Sequence, residues 1–224
     1  MRKLAPLLLL VLVLPILATG CHHGMFTEIK GNGKRELQKR QVARFTSIST
    51  NGAFTIEVTC QKDSSLEIEG DENVLGFVKT EVNRNILRLE NSQNYSVSEP
   101  ILVRISVPNL EGLSVNGAGH INVKGMDNDR FEIDSNGAPT ITVAGKTKML
   151  DVGANGAGKV DAQNLHSTRA VVDARGVARV DLDVSDQLDV EISGPSSVTY
   201  NGNPTVNKKI NGPGKLTRKG GEGA

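Results

Sequence analysis

Three segments of the sequence share one motif: residues 113–123 read LSVNGAGHINV, residues 133–143 read IDSNGAPTITV, and residues 152–162 read VGANGAGKVDA. The motif recurs around six glycines at spacings of 20, 19, 20, 18 and 18 residues: Gly117, Gly137, Gly156, Gly176, Gly194 and Gly212. A fixed period of this size is typical of proteins in which copies of one small unit are stacked. The repeats therefore predict a solenoid.

The residues around each glycine predict the shape of the repeat unit. The positions four before, four after and six after the glycine are mostly apolar, as in Ile133, Ile141 and Val143. Alternate residues of a β-strand share a face, so these positions point inward on two strands that flank a corner. Asn and Gly tolerate the backbone of such a corner. We predict an all-β, β-helix-like solenoid of strand, Gly corner and strand, ending in a polar unit with Lys208 and Arg218 at inward positions.

The segment before the repeats also predicts strands. Between residues 45 and 107, apolar and polar residues alternate in several short runs, which is the pattern of half-buried strands. Asn51-Gly52 is a strong turn signal between the first two runs. Asp71 to Val78 predicts a helical turn or two, with Asp71 as the N-cap. We expect this region to cap the repeats, which start near residue 110, within one domain over residues 42–218.

The start of the chain has the features of a signal peptide over residues 1–20. Two positive charges, Arg2 and Lys3, precede an apolar run that ends at Leu17 and is short for a membrane span. Small residues then lead to Cys21, an arrangement that resembles the bacterial lipobox, in which a signal peptidase cuts before a cysteine that is lipidated. The resemblance implies a membrane anchor at Cys21 and a location in the cell envelope; His22, where Asp would favour inner-membrane retention, favours the outer membrane.

Three further expectations concern the leader and the termini. An ordinary cleaved signal peptide with an incidental cysteine is the alternative to a lipid anchor. Residues 21–41 are polar and partly basic, which predicts a flexible tether that ends in the domain. Residues 219–224 are predicted to be a disordered tail.

Composition excludes some partners. Without Arg2 and Lys3 the 26 basic residues become 24 against 25 acidic ones, so the net charge of the remaining chain is −1. This balance does not favour nucleic acid. Aromatic residues are only 3% of the chain, which argues against a lectin that stacks sugars on rings. Cys60 shares strand parity with Ile56 and Val58, so we predict a buried core residue rather than a reactive thiol.

Several stretches together resemble one bacterial family. They are FTSISTNGAFTIEV from Phe45, ISVPNL from Ile105, the repeated VNGAG-like blocks, and ISGPSSVTYNGNP from Ile192. The chain resembles the head GIN domain family, which is often described as an auto-transporter adhesin, over about Arg44 to Leu216. The resemblance implies a right-handed β-helix-like fold on secreted or lipid-anchored envelope proteins, and it carries no catalytic residues.

Motifs for bound nucleotides or metals are incomplete. Residues 153–160 (GANGAGKV) nearly match a phosphate-binding loop, but Val160 has no hydroxyl for magnesium, and the pattern predicts a following strand instead of a helix. Acidic residues near Asp127 and Asp181 lack the spacing of calcium β-rolls and EF-hands. We therefore expect no cofactor and no metal site.

Stacking of the repeats brings charged positions into rows. Three residues after the corner glycine the row is His120, Thr140, Lys159, Arg179, Ser197 and Lys215. Acids occupy the positions before the corner, such as Glu132 and Asp189. The row containing Lys159, Arg179 and Lys215, which we call the basic stripe, is a candidate ligand surface for an envelope or host glycan or protein, whereas surface solubility and charge pairing between turns is the alternative.

The sequence thus favours a non-enzymatic, membrane-anchored envelope protein with an adhesin-like binding or scaffolding function. A structural or assembly protein without an external ligand is the first alternative. The second is a polysaccharide-active enzyme that uses the sheet surface. A cleft lined by acids and bases from several turns would favour the enzyme, and a smooth convex stack would favour binding.

Overall fold

A computed structural model describes residues 28–220 and is nearly all β, with 70% of residues in strands, 2% in helix, and a β-solenoid of about 5 turns. The predicted fold class is confirmed. Residues 1–20 and Cys21, to which the signal peptide and the lipid anchor were assigned, lie outside the described residues, as do residues 221–224 of the predicted tail.

The described chain contains one short helix, α1 (Glu72–Leu75), and seventeen strands. The strands are β1 (Ile29–Lys30), β2 (Arg35–Arg40), β3 (Ser47–Asn51), β4 (Thr55–Cys60), β5 (Ser65–Asp71), β6 (Val78–Asn83), β7 (Ile86–Asn91), β8 (Tyr95–Ser96), β9 (Leu102–Val107), β10 (Gly112–Gly117), β11 (His120–Gly137), β12 (Thr140–Gly156), β13 (Lys159–Gly176), β14 (Arg179–Ser193), β15 (Ser197–Asn201), β16 (Thr205–Asn211) and β17 (Lys215–Arg218).

Strands β11 to β14 each make most of one solenoid turn. Each runs along a first face, passes a bend, and returns along a second face to the next corner. Hydrogen bonding joins the first faces in the order β17-β15-β14-β13-β12-β11-β4-β9-β5-β2, and the second faces in the order β16-β14-β13-β12-β11-β10-β3-β7-β6. The repeats pair in parallel, with Gly117 opposite Gly137 and Gly137 opposite Gly156, so equivalent positions stack directly.

The corner glycines form a continuous column. Gly137 has a φ of +111°, and a Cβ added there would lie 2.5 Å from the carbonyl oxygen of Gly117. Only glycine meets both conditions, the positive φ and the close approach of the next backbone. Gly52 also belongs to this column, because it lies against Gly117 in the same way. The turn predicted at Asn51-Gly52 is therefore a solenoid corner, and its two strands pair with β10 and β11 instead of with each other.

The core is the inside of the solenoid. Inward positions stack as apolar columns: Leu113, Ile133, Val152, Val172 and Val190 form one, and Ile121, Ile141, Val160, Val180 and Val198 form another. All of these side chains are at most 4% exposed. No single turn could bury its apolar residues alone, so each turn depends on its neighbours for stability.

The N-terminal region closes one end of the stack, as predicted, with antiparallel pairs. Strand β5 pairs antiparallel with β2 and β9, and β6 pairs antiparallel with β7. The predicted helix is present as α1, and Asp71 precedes it, but the Asp71 carboxylate makes no capping hydrogen bond. Its Oδ2 instead accepts a hydrogen bond from the Gly33 amide at 3.0 Å, which holds the incoming chain against the helix.

The prediction of a flexible tether up to residue 41 is wrong for its second half. Residues 35–40 form β2, whose pairing with β5 makes them the outermost strand of the first face. The Arg40 guanidinium donates to the carbonyl oxygens of Leu75, at 2.9 Å, and Val78. Apolar and polar residues do not alternate clearly in RELQKR, so the sequence does not predict a strand there. The domain also continues past residue 218, because the Lys219 amide donates to the Tyr200 carbonyl oxygen at 2.7 Å.

Arg40→Met is expected to lower the free energy of unfolding by about 2 kcal/mol, because it leaves the carbonyls of Leu75 and Val78 without a charged donor. Lys39→Met is the matched control. Its ammonium contacts Glu67 at 3.1 Å with a side chain that is 76% exposed, so a change of less than about 0.5 kcal/mol is expected. Urea unfolding followed by circular dichroism measures both. Equal stability of the two variants would contradict an integral role for β2.

Candidate functional site

The basic stripe exists as a row in the structure. Strand pairing places His120 beside Thr140, Thr140 beside Lys159, Lys159 beside Arg179, Arg179 beside Ser197, and Ser197 beside Lys215. All six side chains are on the outer surface of the first face, half-buried or exposed. The register expected from the repeat is confirmed.

Two cations of the basic stripe are neutralised by neighbouring carboxylates. Lys159 Nζ lies 2.9 Å from Asp161 Oδ2, and Arg179 Nε lies 3.2 Å from Asp181 Oδ2. Partial burial raises the pKa of Asp161, but hydrogen bonds from Lys159 and Gln163 outweigh it, and the pKa is lowered overall. Asp161 and Asp181 follow the basic stripe by two residues, on the same face of the strand, and this spacing could have revealed them in the sequence.

Lys215 differs from the other two cations of the basic stripe. It is exposed and forms no ion pair with any residue between 28 and 220. The acids before the corner are also partly paired: Lys209 Nζ lies 2.6 Å from Glu191 Oε1, and Arg175 bonds to Asp173. These charged side chains on the lateral surface therefore neutralise each other in pairs. Lys215, in the last turn, keeps an unpaired positive charge among the described residues.

A second surface, which is concave, lies elsewhere, where the chain bends between the two faces. This surface, which we call the bend groove, has a volume of about 960 Å³. It is formed by the loop before β10 and by three successive bends. Its lining is Ser47, Asn109, Glu111, Gly112, Asp127, Asn128, Asp129, Arg130, Glu132, Lys146, Thr147, Lys148, His166 and Thr168.

Backbone contacts position the walls of the bend groove. The Asn128 side-chain amide donates to the carbonyl oxygen of Leu110 at 2.6 Å, which ties the first bend to the loop before β10. Two turns further along the stack, the Ser167 hydroxyl donates to the carbonyl oxygen of Asp183 at 2.7 Å. Asn128, Thr147 and Ser167 occupy equivalent positions in the three bends, and Thr147 and Ser167 are buried. The charged residues that flank them in the sequence are exposed.

Charges in the bend groove alternate from turn to turn. Lys146 Nζ lies 3.1 Å from Asp127 Oδ2, and Lys148 Nζ lies 2.7 Å from Asp129 Oδ1. The hydrogen bond and the charge of Asp129 raise the pKa of Lys148. Glu132 also lines the groove and forms no ion pair with another described residue. The groove thus presents polar groups at intervals of roughly 4.8 Å, the spacing of stacked strands.

Other candidate chemistry can be placed. Cys60 is buried in the core, as predicted, with Sγ 3.4 Å from the sulfur of Met126. Burial raises the pKa of its thiol to about 11, so it is protonated at neutral pH. The run 153–160, which nearly matches a phosphate-binding loop, spans the end of β12 and the start of β13, so a strand follows it, as predicted. Residues 28–220 hold no cluster of three or more His, Cys, Asp or Glu side chains suited to a metal ion, and no helix there is long and apolar enough to cross a membrane.

A β-solenoid with a capped N-terminal end and a charged lateral groove is a class of repeat protein whose long surface suits extended ligands. The sequence assigns the family: the model described as "Putative auto-transporter adhesin, head GIN domain" matches residues 44–204. The chain therefore belongs to the head GIN domain family. A search of curated proteins finds no match to the chain.

Solved structures share the fold. An adhesin-like protein from Bacteroides fragilis NCTC 9343, described as a putative adhesin, is 22% identical with a TM-score of 0.70; the match covers 85% of this chain and 98% of that one. A putative adhesin from Parabacteroides merdae ATCC 43184 is 18% identical with a TM-score of 0.55, over 86% and 99% of the two chains. A putative lipid binding protein from Parabacteroides distasonis ATCC 8503 is 18% identical with a TM-score of 0.52, over 86% and 99%.

Proposed function

We propose that this protein is a lipid-anchored component of the bacterial cell envelope with a non-enzymatic, adhesin-like binding function. Membership of the head GIN domain family supports an envelope-associated binding protein. The signal-like leader and the small residues before Cys21 support anchoring through a lipidated cysteine, and His22 supports the outer membrane as its location. The ligand is an extended envelope or host polymer, a glycan or a protein segment, held along the stack.

The bend groove is the observation that carries this proposal. It crosses several turns, so a polymer lying in it meets the same kinds of group at each turn. Alternating charges and the hydroxyls of Ser47 and Thr168 suit a polysaccharide, which offers hydroxyls and carboxylates along its length. The basic stripe is the weaker candidate surface, because Lys159 and Arg179 are already paired with carboxylates.

A bulky side chain in the bend groove is expected to block binding. Thr168 is exposed and lines the groove, so Thr168→Trp fills space without disturbing the core. Thr199→Trp places the same bulk on the first face and is the matched control. Binding to alginate and dextran, as an acidic and a neutral polysaccharide, is measured by biolayer interferometry. We expect Thr168→Trp to weaken binding at least about tenfold and Thr199→Trp to leave it unchanged.

Other outcomes of this experiment favour the alternatives. Acids and bases of several turns line the groove, as expected of a polysaccharide-active enzyme. Two of these pairs, Lys146 with Asp127 and Lys148 with Asp129, neutralise each other, which is why we favour binding over catalysis. Release of new reducing ends during incubation would establish that function instead. If the unsubstituted protein bound neither polysaccharide nor any member of a wider glycan panel, the structural or assembly role would replace the binding proposal.

A further inference from the structure

The last turn of the solenoid has two open strand edges. Among the described residues, β16 pairs only with β14, and β17 pairs only with β15. About half of the backbone N–H and C=O groups of such an edge strand have no strand partner, and they form a template for one more strand. At the opposite end of the stack, the edges are the antiparallel strands β2 and β6.

This end of the molecule is positively charged. Residues 192–220 contain no Asp or Glu, whereas they contain five basic residues: Lys208, Lys209, Lys215, Arg218 and Lys219. Lys209 pairs with Glu191 of the preceding turn, and Lys219 Nζ lies 2.7 Å from the side-chain oxygen of Gln163. Lys208 stands at an inward position, opposite Val190, and is exposed because no further turn covers it.

Apolar side chains accompany the charge on β16. Ile210 lies opposite the buried Ile192 and is 36% exposed, and Val206 lies opposite the buried Leu188 and is half-buried. A strand added to β16 would cover both, in the way that each inner turn covers the one below it. Val206, Lys208 and Ile210 share one face of β16, so an added strand whose residues on that face read apolar, acidic, apolar would bury Val206 and Ile210 and pair with Lys208.

Charge disfavours a second copy of this chain as the occupant. Two copies joined by their last turns would place Lys208 and Lys209 of one against the same residues of the other. Head-to-tail stacking would place β17 against β2, which carries Arg35, Lys39 and Arg40 beside one acid, and β16 against β6, which carries one lysine and one glutamate. Like charges on directly opposed strands are destabilising, which disfavours the first arrangement and the β17–β2 contact of the second.

We propose that the edge of β16 is a docking site for an extended acidic segment of a partner protein, which adds as a strand to the last turn. Main-chain hydrogen bonds would give affinity, and the alternating lysine and apolar positions would give specificity. This site is separate from the bend groove, and its failure would leave the groove proposal intact.

A short labelled peptide built on Val-Thr-Glu-Thr-Val, in which valine, glutamate and valine share one strand face, is the probe. We expect it to bind the full chain with an affinity that falls as salt rises, and to protect backbone amides of residues 205–211 from hydrogen exchange. Lys208→Glu with Lys209→Glu should weaken binding at least about tenfold. Lys79→Glu with Lys124→Glu, which reverses two exposed lysines elsewhere, is the control and should bind as before. Thr168→Trp should also bind as before.

Four results would overturn the proposal. The first is peptide binding without amide protection in β16, since this would reflect charge attraction alone. The second is equal binding of the same peptide with lysine in place of glutamate. The third is binding of phosphatidylglycerol vesicles that depends on Lys208 and Lys209 while the peptide does not bind, because the positive end would then recognise lipid headgroups. The fourth is self-association of the Lys208→Glu, Lys209→Glu variant with unchanged peptide binding. The function of the lysines would then be to prevent aggregation through the strand edge.

Discussion

Gly137→Val is expected to lower the free energy of unfolding by about 4 kcal/mol, a large part of the roughly 5–15 kcal/mol that stabilises a domain. Two costs add. A β-branched residue is strained at a φ of +111°, and its Cβ would lie 2.5 Å from the Gly117 carbonyl oxygen, which belongs to the backbone of the preceding turn and cannot rotate away. The loss is measured by urea unfolding, or appears as insoluble protein on expression.

Two other glycines separate these costs. Gly33 also has a positive φ, +75°, but nothing lies within 4 Å of the added Cβ, so Gly33→Ala should cost only about 1–2 kcal/mol for strain. Gly76 has a φ of −64° and open space, so Gly76→Ala should be neutral or slightly stabilising. If Gly137→Val cost no more than Gly33→Ala, close stacking of the corners would not contribute to stability.

Cys21→Ser is expected to release the protein from membranes almost completely. A lipidated cysteine carrying several acyl chains anchors a protein stably, because each buried CH₂ group contributes about 0.8 kcal/mol and one chain alone gives only reversible binding. After lysis and ultracentrifugation, the unsubstituted protein should sediment with membranes and incorporate labelled palmitate. The serine variant should be in the supernatant without label.

Cys60→Ser is the control for the anchor, because Cys60 is buried in the core and cannot be the lipidation site. Membrane association should be unchanged in this variant. A Cys21→Ser protein that still sedimented with membranes would contradict lipid anchoring and favour an ordinary cleaved signal peptide. Protease accessibility on intact and permeabilised cells then distinguishes a surface location from a periplasmic one.

The repeated part of the fold could be predicted because each turn carries the same signals. The Gly period fixed the number of residues per turn, and the alternation around Ile133 and Ile141 fixed which side chains are inside. Gly52 could not be predicted in this way. It belongs to the same column as Gly117, but 65 residues separate them along the chain, so no period links them.

The candidate site could be predicted only in part. The basic stripe could be predicted because its residues all lie three positions after a corner glycine. The acids that neutralise Lys159 and Arg179 lie five positions after it, so they form a separate row in the sequence. The bend groove was missed because the bends vary in length, and pairing there is interrupted between Val123 and Met126 and between Ala162 and His166. A concave surface made by irregular segments leaves no periodic trace in a sequence.

The opposite placement of β2 and β16 has a mechanical consequence. Hydrogen bonds between turns run along the axis of the stack, so tension between an anchored N-terminus and an occupied last turn would pull on these bonds lengthwise, one turn at a time. Because each turn contacts only its neighbours, the chain would peel from its C-terminal end in steps of about 18–20 residues instead of rupturing at once. Such a protein would behave under load as an extensible linker that lengthens before it releases its ligand.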